Sequence, residues 1–280
     1  MKINKEKVLP IIMSALREDL GAGDITGAVV LEKDINITAS IIAKQECILC
    51  GVDIAKWVFT TLDERVIFNP LHKDGDRLKK NKRAASLKGS ARNILTGERS
   101  ALNFLARLSG ISTLTHSFVE KLRGSKASIF DTRKTTPGLR ELEKYAVRIG
   151  GGSNHRMGLW DQVLIKDNHL ALCSMENAIK KAKAKHYKDI EVEVDDLNRF
   201  KVALEAGADI IMLDNMKIED LRKAVKLNKK KKSPRPLLEY SGGVRLEDVT
   251  KIAKTGVDRI SVGFLTHSAP SIDFSLEICT

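Results

Sequence analysis

Aromatic side chains are scarce in this 280-residue sequence, at 5%, with two tryptophans and three tyrosines. A surface that reads single-stranded nucleic acid by stacking bases on rings needs more of them. No run of about 18 apolar residues occurs, which argues against a membrane-spanning helix. The opening residues, MKINKEKVLPIIMSALRED, lack the long apolar core of a signal peptide; Val8, Ile11, Ile12 and Leu16 recur at helical spacing instead. Cysteines number four. Cys47 and Cys50 form a C-x-x-C, but no second pair or histidine cluster completes a zinc site, and the intervening Ile48 and Leu49 read as buried packing. No serine or cysteine is accompanied by a recognisable paired base, which disfavours acyl transfer. The expectation from these absences is a cytoplasmic protein with neither a nucleic acid nor a membrane as partner.

Charge is present in excess, +12 overall. Half of that excess falls in one stretch, where Lys226, Lys229, Lys230, Lys231, Lys232 and Arg235 stand without an acid and Pro234 and Pro236 follow closely. No aromatic residue interleaves with these cations, so they read as a solvated helix end and loop. Trp57, Trp160 and Cys173 read as packing residues.

Two textures divide the chain. Residues 1–112 open with a helix and continue as short apolar runs separated by turn signals such as Lys73-Asp74-Gly75-Asp76, then a helical segment over 97–108. From about 127, six short β-rich runs (ASIFDT, DQVLIK, IEVEV, DIIML, LLEYS, RISVG) alternate with helical patterns, two of which close on Gly207 and Gly256. Repeated β-α units imply parallel strands covered by helices, and six in succession favour a barrel. Side chains alternate faces along a strand. One face collects Val163, Ile165, Val192, Val194, Ile211, Leu213, Leu238, Tyr240, Ile260 and Val262. The other collects Asp131, Arg133, Lys166, Glu191, Glu193, Asp214, Glu239, Ser241, Ser261 and Gly263. Ionisable groups on a buried strand face are costly unless paired or liganded, so this second face is the candidate site.

The densest chemistry lies in 131–169, DTRKTTPGLRELEKYAVRIGGGSNHRMGLWDQVLIKDNH. Arg133, Lys134, Arg156 and Lys166 gather cations near strand ends, His155 adjoins them, and guanidinium forks take carboxylate or phosphate at two points. Pro137 suits the first turn of a helix, and Gly150, Gly151 and Gly152 allow close backbone approach. Glu193 and Asp214 face the cations and suit magnesium or sugar hydroxyls. Ser241-Gly242-Gly243 and the run from Gly263 to His267 follow the last two strands, where barrels hold phosphate on backbone N–H groups. Arg99 alone reads as a surface partner of Glu98.

These motifs, together with EDLGAGDITG (18–27), GSARNILTGERSALNFLARLSGIST (89–113), IMLDNM, YSGGV and SVGFLTHSA, resemble the quinolinate phosphoribosyltransferase family over essentially the whole chain. The resemblance implies an α/β fold, an incomplete α/β barrel joined to an N-terminal α/β sandwich. It divides the chain into 1–112 with the returning tail 268–280, and a catalytic barrel over 113–267. It implies conversion of quinolinate and phosphoribosyl pyrophosphate to nicotinate mononucleotide, carbon dioxide and pyrophosphate, with Mg²⁺, in a homodimer or larger homo-oligomer whose active sites are shared. It further implies that Thr132, Arg133, Lys134, His155, Arg156 and Lys166 line the quinolinate pocket, with Arg99 entering from the other subunit. Glu193 and Asp214 are implied to hold the ribose and magnesium, directly or through phosphoribosyl pyrophosphate. Ser241, Gly242, Gly243, Gly263 and His267 are implied to take its 5′-phosphate. Lys166, Glu193 and Asp214 are the implied catalytic groups, and His155 and Lys134 the candidate proton donors after decarboxylation.

Overall fold

The computed structural model describes residues 3–31 and 33–279. The chain divides into two compact units. The first draws on 1–116, 136–151 and 268–280, the second on 117–135 and 152–267.

The first unit begins with helix α1 (Lys5–Leu20), whose N-terminus is capped by the Asn4 side chain and whose Val8, Ile12 and Leu16 are buried at four-residue spacing. Helix α2 (Ile25–Val30) is capped by Asp24, which accepts from Gly27 N. An antiparallel sheet follows, built from β1 (Asn36–Ala43), β3 (Ile67–Pro70), β5 (Arg83–Ser90) and the late strand β12 (Phe274–Ile278), in the order β12-β1-β5-β3. A two-stranded ribbon pairs β2 (Cys47–Ile48) with β4 (Arg77–Leu78). Helices α3 (Val52–Leu62) and α4 (Ala91–Glu120) complete this part, α3 burying Ile54, Ala55, Val58 and Phe59. The helix expected over 97–108 is the middle of the much longer α4. Cys47 and Cys50 are buried; burial pushes Cys47 up to about 11 and Cys50 well above its ordinary range, so both remain thiols.

Helix α5 (Arg140–Ile149) also belongs to the first unit, whereas the division read from sequence assigned 136–151 to the barrel. Long-range polar contacts account for the difference. Arg107 pairs with the buried Glu143 at 2.7 Å, and the Tyr145 hydroxyl donates to Asp74 at 2.7 Å. Gly150 lies against α4, where a Cβ would stand 2.4 Å from the Ser112 carbonyl oxygen. That glycine serves helix packing. Pro137 sits in a turn ahead of α5 and not in its first turn.

The second unit is a six-stranded parallel sheet: β6 (Ser128–Phe130), β7 (Leu164–Ile165), β8 (Glu191–Val194), β9 (Ile210–Asp214), β10 (Leu237–Ser241) and β11 (Arg259–Ser261), in the order β6-β11-β10-β9-β8-β7. The first strand has crossed to lie beside the last, as in a barrel, yet β6 and β7 form opposite edges and do not pair. The barrel is incomplete. Helices α6 (Asp167–Leu170), α7 (Met175–Ala184), α8 (Leu197–Ala206), α9 (Ile218–Lys230), α10 (Val249–Ala253) and α11 (Phe264–His267) follow β7 through β11. Asp196 caps α8 through Asn198 N and Arg199 N, and Gly207 ends it at φ 76°, the left-handed conformation that glycine adopts without strain. Lys229 and Lys230 are exposed in the last turn of α9, where positive charge meets the carbonyl end of the helix.

Candidate functional site

Strand register places the site. Val192 pairs with Ile211 and Ile211 with Leu238, while Val194, Leu213, Tyr240, Ile260 and Ile129 align in the next row. This face is apolar, as the alternation predicts. The opposite face aligns Glu193, Met212, Glu239 and Arg259 in one row, and Asp214, Ser241, Ser261 and Phe130 in the row beyond it. The second row lies nearer the C-terminal strand ends, the side on which parallel α/β folds carry their chemistry.

Lys166 directly follows β7 and caps α6. Its Nζ lies 2.5 Å from Glu193 Oε2, with the lysine side chain 40% exposed and the glutamate 16%. The pair therefore stands at a solvent-open rim. Asp214 ends β9, accepts from Asn215 Nδ2 at 2.9 Å and remains half-buried. These are hard oxygen donors on adjacent strands, the donor chemistry that Mg²⁺ prefers.

Beyond β6, Arg133 and Lys134 are exposed, and Thr132 Oγ1 accepts from Lys134 N. His155 and Arg156 are buried. Fully buried Asp131 fixes their loop, accepting from His155 N at 2.8 Å and from Asn154 Nδ2. Arg156 Nη1 donates to the Gln162 carbonyl at 3.1 Å. Burial pulls the Arg156 guanidinium downward, and the charge of nearby Arg133 pulls the same way. Two cations crowded together are relieved by an anion, and their forks suit a carboxylate.

Ser241, Gly242 and Gly243 leave β10 in a loop with φ 117° at Gly242 and 51° at Gly243. A Cβ on Gly242 would stand 2.2 Å from Asn215 Oδ1 and 2.9 Å from Asn215 N, and that N–H donates to the Ser241 carbonyl. Gly263 precedes α11, and a Cβ there would press on the Lys134 and His267 side chains. Thr266 Oγ1 donates to the Lys134 carbonyl at 2.7 Å, tying the segment after β11 to that after β6. Arg99 lies exposed on α4 in the first unit, and among the described residues it forms no ion pair with Glu98.

Beneath the rim His155 meets two glutamates that sequence reading left without a role. His155 Nε2 lies 3.0 Å from Glu191 Oε2 and 3.4 Å from Glu239 Oε1, both glutamates being fully buried. Burial pulls the imidazole down, but the two carboxylates outweigh it and push it up to about 9. Arg156 N–H is directed at His155 Nδ1 at 2.8 Å. Burial also raises Glu191, while the nearby imidazole pulls it the other way. The available signal was a glutamate repeated on the buried face of two strands. Trp160 departs from its expected packing role: it is 78% exposed, in a loop where Asp161 takes the N–H groups of Met157 and Gly158.

The sequence pattern described as the quinolinate phosphoribosyl transferase C-terminal domain matches residues 111–277, and that of the N-terminal domain matches 24–109. A probable nicotinate-nucleotide pyrophosphorylase (carboxylating) of Bacillus subtilis is 46% identical over 265 residues, covering 93% of this chain and 90% of the relative. One from Methanocaldococcus jannaschii is 42% identical, covering 98% of both. The solved nicotinate-nucleotide pyrophosphorylase of Francisella tularensis superposes with a TM-score of 0.94 at 41% identity, covering 99% of this chain and 98% of that one.

Proposed function

Because this chain belongs to the quinolinate phosphoribosyl transferase family, we propose that it transfers the phosphoribosyl group of phosphoribosyl pyrophosphate to quinolinate at the strand ends of its second unit. The reaction releases pyrophosphate and carbon dioxide and yields nicotinate mononucleotide, a step of NAD biosynthesis. The reading of roles is supported by the order of the strands of one parallel sheet, at or after whose ends stand the cations Arg133, Arg156 and Lys166, the acids Glu193 and Asp214, and the glycine loop after β10.

Arg133, Lys134 and Arg156 hold the two quinolinate carboxylates, with Thr132 and His155 shaping the pocket around them. Arg99 of the partner subunit completes it in a homodimer. Ser241, Gly242, Gly243 and Gly263 turn backbone N–H groups and close-approach space toward the 5′-phosphate, with His267 beside them. Glu193 and Asp214 hold the ribose hydroxyls and the magnesium side of phosphoribosyl pyrophosphate; Mg²⁺ bound there supplies charge neutralisation for the leaving pyrophosphate.

The pyridine nitrogen attacks C1 of the ribose with its own lone pair, so no general base is needed. The bond from C1 to the pyrophosphate oxygen breaks, and its electrons leave with that group. Glu193 and Asp214 stabilise the positive charge that develops on the sugar, and Lys166 the negative charge on the departing oxygen. The pyridinium then draws the electrons of the adjacent carbon–carboxylate bond into the ring as carbon dioxide leaves. A proton from Lys134 or water finishes the product. Most of the catalysis is positioning and charge neutralisation. We assign the protein to the cytoplasm; no described helix is long and apolar enough to cross a membrane.

Purified protein supplied with Mg²⁺, quinolinate and phosphoribosyl pyrophosphate is expected to release carbon dioxide and pyrophosphate in equal amounts. Turnover of nicotinate but not quinolinate would sink the assignment. Sharing of Arg99 has its own check. Arg99→Ala and Lys166→Ala subunits, each inactive, are expected to recover partial activity when mixed and allowed to exchange; silence of the mixture despite demonstrated exchange argues against a shared site.

A further inference from the structure

Glu191 and Glu239 take no part in the chemistry above, yet they occupy the centre of the inner sheet face at 0% exposure. Two acids buried together are costly unless their hydrogen bonds are arranged around them. Three hydrogen bonds and one ion-pair contact form a closed circuit here. Glu191 Oε2 accepts from Gln162 Nε2 at 3.1 Å and lies 3.0 Å from His155 Nε2, at ion-pair distance. His155 Nδ1 accepts from Arg156 N at 2.8 Å, and the backbone carbonyl of Gln162 accepts from Arg156 Nη1 at 3.1 Å. Arg156 is thus gripped at both ends, its backbone through the His155 ring and its guanidinium through Gln162, and both grips meet on one carboxyl oxygen. Glu239 flanks the same ring nitrogen and is itself held by Ser261 Oγ.

We propose that Glu191 is a positioning residue for substrate recognition: through His155 and Gln162 it fixes the Arg156 fork in the orientation that takes a quinolinate carboxylate, with Glu239 steadying the ring from its other side. The proposal rests on the reading of Arg156 as a carboxylate-binding group. Both His155 ring nitrogens face protein groups, so the imidazole aims Arg156 and is not the proton donor after decarboxylation. A guanidinium fork depends on angle as much as on charge. Loosening its mount therefore weakens binding of the planar diacid more than binding of phosphoribosyl pyrophosphate, which the other strand ends hold.

The test compares Glu191→Ala, Glu191→Gln and Gln162→Ala by steady-state kinetics with each substrate varied in turn. Glu191→Ala is expected to raise the KM for quinolinate by about tenfold or more while the KM for phosphoribosyl pyrophosphate moves by less than about twofold. Glu191→Gln keeps an acceptor oxygen in the same place and is expected to bring the quinolinate KM back to within about threefold of the parent protein. Gln162→Ala, a change at a half-buried loop side chain, removes one link without emptying the core and is expected to raise the same KM by about threefold to tenfold even if Glu191→Ala does not fold. The proposal is overturned by equal rises in both KM values, by a glutamine variant no better than alanine, or by a Gln162→Ala protein with unchanged KM. A parent protein that does not turn over quinolinate overturns the functional reading itself; an active parent whose variants behave in any of these three ways overturns the positioning role alone.

Discussion

Replacing Lys166 by alanine is expected to lower kcat by a factor on the order of 10²–10³, the usual cost of removing one preorganised group from a site of developing negative charge. Lys166 ends β7 with its amino group in contact with Glu193 and its side chain still open to the rim. In the free protein the lysine serves the glutamate. When pyrophosphate begins to leave, the same amino group has a second and more highly charged partner close by. Alanine removes the cation where charge develops and leaves Glu193 without its ion pair in a setting only 16% exposed. The loss belongs to the transition state more than to ground-state binding, so the KM for phosphoribosyl pyrophosphate is expected to move less than kcat. Steady-state rates at saturating concentrations of both substrates give the answer. A fall smaller than about tenfold would place leaving-group stabilisation on other residues.

Gly242→Ala is expected to be nearly as damaging, and Gly243→Ala much less so, although the two positions are adjacent. At Gly242 the backbone holds φ 117°, and a methyl group would clash with the Asn215 side-chain oxygen at 2.2 Å and its backbone nitrogen at 2.9 Å. Backbone strain of this kind costs on the order of 1–3 kcal/mol. Relief would push away Asn215, whose N–H holds the Ser241 carbonyl and whose amide holds Asp214. One substitution thus disturbs both the phosphate loop and an acid at the ribose side. At Gly243 nothing lies within 4 Å of an added Cβ, and φ 51° is the left-handed region, costing an alanine about 1 kcal/mol. Thermal unfolding and the KM for phosphoribosyl pyrophosphate, measured on both variants, separate the cases. Gly242→Ala is expected to raise that KM by about tenfold to a hundredfold. Similar values for the two variants would remove the close approach to Asn215 from the explanation.

The architecture of the second unit was readable because it rests on local rules. Alternation predicted which side chains share a face, and the register bears that out from Val192 across to Ile260; in the first run it fails, because β6 ends at Phe130 with Ile129 on the apolar face, so Asp131 and Arg133 lie beyond the strand and not on its polar face. Gly207 ends its helix in the left-handed conformation expected of it. What escaped reading depends on contacts far apart in sequence. The helix after Pro137 has the rhythm of a barrel crossover, but Arg107 and Asp74 reach Glu143 and Tyr145 and hold it in the first unit. Nothing local to α5 announces those partners. His155 was recognisable as part of the site; the direction of its ring was not, because that depends on two glutamates from separate strands. Trp160 was misread because bulk and hydrophobicity alone suggest burial, whereas the turn that Asp161 closes turns the ring outward.

The pairing of β12 with β1 has a consequence for the order in which the protein is made. β1 leaves the ribosome early, with β5 soon available on one side, while the strand for its other side is encoded after the entire second unit. A growing chain tends to fold in the order of its synthesis. Here the earliest sheet must wait, one edge of β1 unpaired, until the whole second unit has been translated. An unpaired edge strand is a template for association with other chains. During synthesis, the interval before Phe274–Ile278 arrives is therefore when this protein depends most on chaperones, and a message truncated late in its reading frame yields a product prone to aggregate even when every residue of the rim is present.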